Sequence, residues 1–174
     1  MNPLRGLKSL VARHRGLASL IVIVLPLVLV AACSGKSSTS GGVSKADYLR
    51  QAEAICTKSA ADQKALKTPT AVADLAPYVA KVVALADTTA LAVDALEPPK
   101  ADKSDLESKL LTPLKAELVE AHTYSAKVAA AQKRHDEAAL VELLSKRPAM
   151  PPAVLTWMRS YGFSSCVTLL DTSS

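Results

Sequence analysis

The sequence predicts an all-α protein: a small up-and-down bundle of four or five helices with one disulfide, preceded by a signal peptide and a flexible tether. Three observations carry that expectation. Apolar residues make up 49% of the chain but aromatics only 3%, and much of the apolar count is alanine. Small side chains favour closely packed helices, whereas a β-sandwich draws on β-branched and aromatic residues. Apolar positions then recur every three or four residues through the second half of the chain, and no period-two run exceeds a few residues. The expected division is 1–32 signal peptide, 33–43 tether and 44–174 helical domain.

The leader opens with Arg5, Lys8, Arg13 and Arg15 and no acid precedes Asp47. Residues 17–32 ("LASLIVIVLPLVLVAA") follow, 16 residues that include Pro26. A comfortable span needs about 20 apolar residues, so this stretch suits a cleaved secretory signal better than a permanent anchor. Its basic flank would stay cytoplasmic and send the rest outward. Without those four cations the chain holds 17 basic against 16 acidic residues. The overall charge of +5 therefore says little about the body, and a nearly neutral domain has no electrostatic footprint for nucleic acid.

The apolar run ends in "VAAC", with Ala32 immediately before Cys33. These four residues resemble the bacterial lipobox. The resemblance implies cleavage between Ala32 and Cys33, a diacylglyceryl group on the Cys33 thiol, and attachment to the outer face of the cell membrane. Two acyl chains bind a membrane durably where one binds marginally. The following residues 34–43 ("SGKSSTSGGV") cannot bury apolar surface and read as a tether with a typical reach of about 15–20 Å. An uncleaved anchor over residues 17–32 is the competing reading.

In the body, Ser44 followed by Asp47 signals a helix start. Tyr48, Leu49, Ala52, Ile55, Cys56, Ser59, Gln63 and Leu66 then share one face. "TPTAVADLA" breaks that helix. Pro77 suits the first turn of a second over 78–96, apolar over a wide arc and so expected to be central. "EPPK" stops it. Ser104 and Glu107 form a capping box for a third helix reaching about residue 133, with Leu110, Leu114, Leu118, Ala121, Ser125 and Val128 inward and a kink or late start at Pro113. Asp136 would cap a short fourth helix carrying Leu140, Leu143 and Leu144. "RPAMPP" separates it from a last segment that stops at Gly162.

With Cys33 acylated, Cys56 and Cys166 remain, and two thiols in an exported domain imply one disulfide. They lie far apart and form no Cys-x-x-Cys, so a structural bridge is expected rather than a redox pair. "AEAIC" at residues 52–56, "LEPP" at 96–99 and "YGFSSC" at 161–166 are similar to a pattern in small uncharacterised actinobacterial lipoproteins. That resemblance implies a helical domain clasped by a disulfide and no established activity.

The residues offer little chemistry. His122 and His135 sit 13 apart, about 20 Å along one helix, too far to share a metal there. His122 is expected at the border of the buried face, and His135 at a charged helix end where a cation suits the dipole. Asp102, Asp105 and Glu107 gather at a helix start, and Glu117 and Glu120 read as a solvated face. The sequence contains no Gly-rich phosphate loop, nucleophile elbow, zinc motif or calcium loop. The expected role is thus a non-enzymatic binding or accessory module of the cell envelope, without cofactor, whose partner is an envelope protein or a lipid. Pocket volume separates these readings. A cavity above about 300 Å³ lined by Leu, Val and Met favours an apolar ligand, and a solid core with an exposed apolar patch favours a protein partner. A scattered, unrecognised enzyme site is the remaining alternative.

Overall fold

The computed structural model describes residues 42–172. The signal peptide, the Ala32–Cys33 junction and most of the tether lie outside them. The described chain is mostly helical, without strands among the described residues, and runs as six helices. These are α1 (Lys45–Ala65), α2 (Leu75–Asp94), a long composite α3, α4 (Glu137–Ser145), α5 (Pro152–Tyr161) and α6 (Ser165–Thr172). The composite α3 joins Lys103–Leu106, a π-turn over Glu107–Leu111, and Thr112–Lys133. The expected bundle and its disulfide are present, and α6 is a short helix that the periodicity did not signal.

Each boundary has a local cause. Ser44 Oγ accepts the Asp47 N–H at 3.1 Å and opens α1 as its sequence predicts. "TPTAVADLA" contains a 3-10 turn, Val72–Asp74, that leads directly into α2. Asp136 Oδ1 accepts the Ala139 N–H at 3.0 Å and caps α4. The Ser104–Glu107 capping box does not form: the helix starts earlier, at Lys103, and Asp102 in the cap position makes no side-chain cap. Instead, the Asp102 carboxylate accepts the Tyr161 hydroxyl at 2.7 Å, a tertiary bond that outcompetes the local one. Pro113 neither breaks α3 nor delays it. The π-turn just before it supplies one extra residue, which accommodates a ring that lacks an N–H and crowds the preceding turn.

The end of α3 shows why His135 is where it is. The His135 N–H donates to the Gln132 carbonyl and the Asp136 N–H to the Ala131 carbonyl, each at 3.0 Å. That pair of bonds is a Schellman motif, and it places His135 at φ 54°, in the left-handed position usually given to glycine.

Partner residues set the directions of the helices. Ala76, Asp87 and Asp94 on α2 bond Gln132, His122 and Lys115 on α3, so ascending numbers meet descending ones and the two are antiparallel. The Ser59 and Thr89 hydroxyls meet at 2.7 Å between α1 and α2. α2 is therefore flanked by α1 and α3, as its central role predicts. Its burial is a surprise: only 22% of its most apolar stretch is buried, chiefly Val83, Ala90 and Val93.

The core divides in two. The larger cluster joins α1, the start of α3, α5 and α6 through Tyr48, Ala52, Cys56, Leu106, Leu110, Met158, Phe163 and Cys166. Val43, counted with the tether by composition, packs against it. The smaller holds Val128, Ala131 and Leu140, with Leu75, Val79 and Tyr124 against them. Four of the six aromatics, Tyr48, Trp157, Tyr161 and Phe163, contact one another in the larger cluster, and Lys45 lies 3.9 Å over the Tyr161 ring.

Cys56 and Cys166 are disulfide-bonded, tying α1 to α6 across a sequence separation of 110. Two further contacts support the clasp. Gly162 ends α5 at φ 120°, and a Cβ there would also meet Leu49 Cδ1 at 3.0 Å. Gly162→Ala should therefore destabilise the domain by about 1–2 kcal/mol, read from chemical denaturation, because an L side chain is strained in that conformation. The second contact is Glu53 on α1, which holds the start of α6. Its Oε1 accepts the Ser164 N–H at 2.8 Å, and its Oε2 accepts the Ser165 N–H at 2.6 Å and the Ser164 hydroxyl at 2.8 Å. Partial burial raises the Glu53 pKa, but the bonds from Ser165 and Ser164 outweigh it and hold the carboxyl below its usual range. A depressed folded value contributes stability above the unfolded pKa, and that stability is lost as pH falls through the folded one. Glu53→Gln should cost about 1 kcal/mol at neutral pH, given solvent screening. It should also flatten the acid limb of a stability-versus-pH curve.

Candidate ligand-binding groove

The two cores do not meet. Between them lies a cavity of about 350 Å³, within the range of small-molecule sites. One wall is a stripe of α2: Leu75, Tyr78, Val79, Val82, Val83, Ala86, Ala90 and Val93. The facing wall on α3 is Leu110, Leu114, Glu117, Leu118, Ala121 and Tyr124. Both walls follow the spacing of three and four that marks a core face, and the cavity lies along them. The groove follows α2 for 18 residues, about 27 Å at 1.5 Å per residue. The Cys56–Cys166 bridge, Met158, Phe163 and Leu169 line one part of it; Leu144 and the Arg147–Pro148–Ala149–Met150 linker line another.

Composition explains the gap. Four of the six aromatics are spent on the clasp, and the other two, Tyr78 and Tyr124, stand on the groove wall. Alanine at residues 86, 90 and 121 leaves space that larger side chains would fill.

Polar groups are few and local. The Tyr124 hydroxyl is buried and has no hydrogen-bond partner among the described residues. A buried unsatisfied hydroxyl costs about 1–3 kcal/mol, so a native one calls for an explanation. Glu117 is half-buried in the wall; burial, and then the Glu120 charge, push its carboxyl above the usual range. It is thus a groove residue, in contrast to the solvated face expected of it.

A second cavity, of about 910 Å³, shares Tyr124, Arg147, Pro148 and Ala149 with the first. Its character differs: Lys127, Arg134, Lys146 and Arg147 line it against Glu120 and Glu142. Lys146 pairs with Glu142 at 2.8 Å.

The histidines stand elsewhere. His122 is 59% exposed, with Nε2 at 3.0 Å from Asp87 Oδ1 on the α2–α3 seam. It does not border the buried face as its spacing from Leu118 suggests, because Ala121 and Tyr124 take that side. His135 lies in the α3–α4 turn. The structure therefore keeps the two histidines apart, joins Cys56 to Cys166, and leaves Cys33 outside the described residues. Sequence reasoning missed Tyr124, Lys127 and Arg147. The only available signal for Tyr124 was a scarce aromatic at groove spacing from Leu114, Leu118 and Ala121.

Fold and cavity together define a disulfide-clasped helical domain with an apolar groove. No protein-family model, curated protein or solved structure matches the chain.

Proposed function

We propose that this chain is an exported lipoprotein of the cell envelope, whose helical domain binds a small apolar ligand or lipid tail in the groove between α2 and α3. The observation that carries the binding reading is the cavity of about 350 Å³, walled by Leu, Val, Ala and Met from the apolar faces of α2 and α3. It favours a ligand over a protein partner as the occupant. The lipoprotein reading rests on the resemblance of residues 30–33 to a lipobox, on the basic leader, and on the likeness of the body motifs to small actinobacterial lipoproteins. The Cys56–Cys166 disulfide is in keeping with maturation outside the cytosol.

Native mass spectrometry of the chain purified from its own membranes tests both parts. The expected species begins at Cys33, carries a diacylglyceryl group, and holds a non-covalent apolar molecule that organic solvent removes. An intact N-terminus at Met1 or Asn2 would contradict the anchor. A protein that neither retains nor takes up an apolar molecule would contradict the groove.

A further inference from the structure

We propose that the ligand is a single-chain amphiphile with an anionic head, its tail in the groove and its head in the basic cavity beyond Tyr124. This rests on the groove reading and adds the chemical class of the ligand.

Three observations converge. The first is size: a volume of about 350 Å³ lies near the lower limit of small-molecule sites, and the groove is about 27 Å long, so it is a narrow slot for one chain. The second is adjacency. Tyr124 and the linker from Arg147 to Ala149 line both cavities, so the polar end of an occupant of the apolar part would lie beside the other. The third is charge. Four cations line the second cavity against Glu120 and Glu142. Lys146 pairs with Glu142, and Arg134 with Asp136 at 3.9 Å, which leaves a net positive charge from Lys127 and Arg147 against Glu120, in a domain that is otherwise nearly balanced.

The buried Tyr124 hydroxyl gives the boundary a specific donor. An amphiphile head oxygen at that depth would accept from it, satisfying a group that has no partner among the described residues. Glu117, the carboxylate of the apolar wall, lies seven residues from Tyr124, about 10 Å along α3. It therefore faces the tail, and Lys127 and Arg147 face the head. Carboxylate and phosphate monoester heads share this chemistry. Free phosphate lacks the tail.

The test compares four probes on the full mature chain below their aggregation concentrations: palmitate, hexadecyl phosphate, hexadecanol and inorganic phosphate. Lys127→Glu and Tyr124→Phe are run beside the wild type, with folding checked by thermal melts. Both anionic amphiphiles should bind at least about tenfold more tightly than hexadecanol, and added salt should narrow that gap. Lys127→Glu should weaken the anionic pair several-fold while leaving hexadecanol unchanged, and Tyr124→Phe should weaken all three tailed probes. Inorganic phosphate should not bind measurably. Equal affinities for palmitate and hexadecanol, unmoved by Lys127→Glu, would overturn the anionic head and leave the groove standing. Tight binding of inorganic phosphate would also overturn this assignment. Binding of no tailed probe would overturn the groove itself.

Discussion

Reduction of Cys56–Cys166, or its replacement by paired serines, should lower the stability of the domain by about 4–5 kcal/mol, the largest single effect expected in this protein. The magnitude follows from loop closure. The bridge spans 110 residues, and releasing a loop of that length returns roughly that much chain entropy to the unfolded state. Both cysteines also sit in the larger core, each 4% exposed, so the paired serines lose packing as well. Because Cys56 and Cys166 line the groove, the same change should weaken ligand binding. Denaturation in guanidinium with and without reductant reads the stability term. Unchanged midpoints would show that Glu53, Gly162 and the aromatic cluster hold α6 to α1 unaided.

Ala86→Phe should abolish binding of a neutral apolar probe, such as N-phenyl-1-naphthylamine, while leaving the domain folded. Ala86 lies on α2 and Ala121 faces the groove from α3, so a phenyl ring at residue 86 occupies the space between them. A loss of affinity of at least about tenfold corresponds to about 1.4 kcal/mol, a modest demand on a blocked slot. Stability should change by no more than about 1–2 kcal/mol in either direction. Filling a void restores dispersion contacts, whereas overfilling forces side chains off their rotamers. Ala121→Phe provides the same test from the opposite wall. Probe binding that survives both substitutions would place the ligand elsewhere.

Much of the fold is legible in the sequence, for identifiable reasons. Ser44 and Asp136 cap their helices, the buried face of α1 carries Tyr48, Ala52 and Cys56, and the two body cysteines are paired. Each of these follows from local chemistry or from counting. What escaped depends on tertiary partners. Asp102 is drawn away from capping by Tyr161, and Pro113 is absorbed by a π-turn. α6 is organised by the Glu53 carboxylate 111 residues away from Ser164.

The groove escaped for a different reason. Periodicity correctly identified the faces of α2 and α3, but it says only which residues turn inward, never whether they touch. That depends on summed volumes and on where a scarce supply of aromatics is spent. The basic cavity was equally hidden, since Lys127 and Arg147 are 20 residues apart and only the α3–α4 turn brings them to one wall. That turn depends on His135 accepting a left-handed conformation.

A crystal structure of the protein with hexadecanol tests the central claim most directly. The account predicts an alkyl chain running between α2 and α3, flanked by Val82, Ala86, Leu118 and Ala121, with its oxygen beside the Tyr124 hydroxyl. A groove closed by Leu114, Leu118 and Met158, with no alkyl density in it, would contradict it.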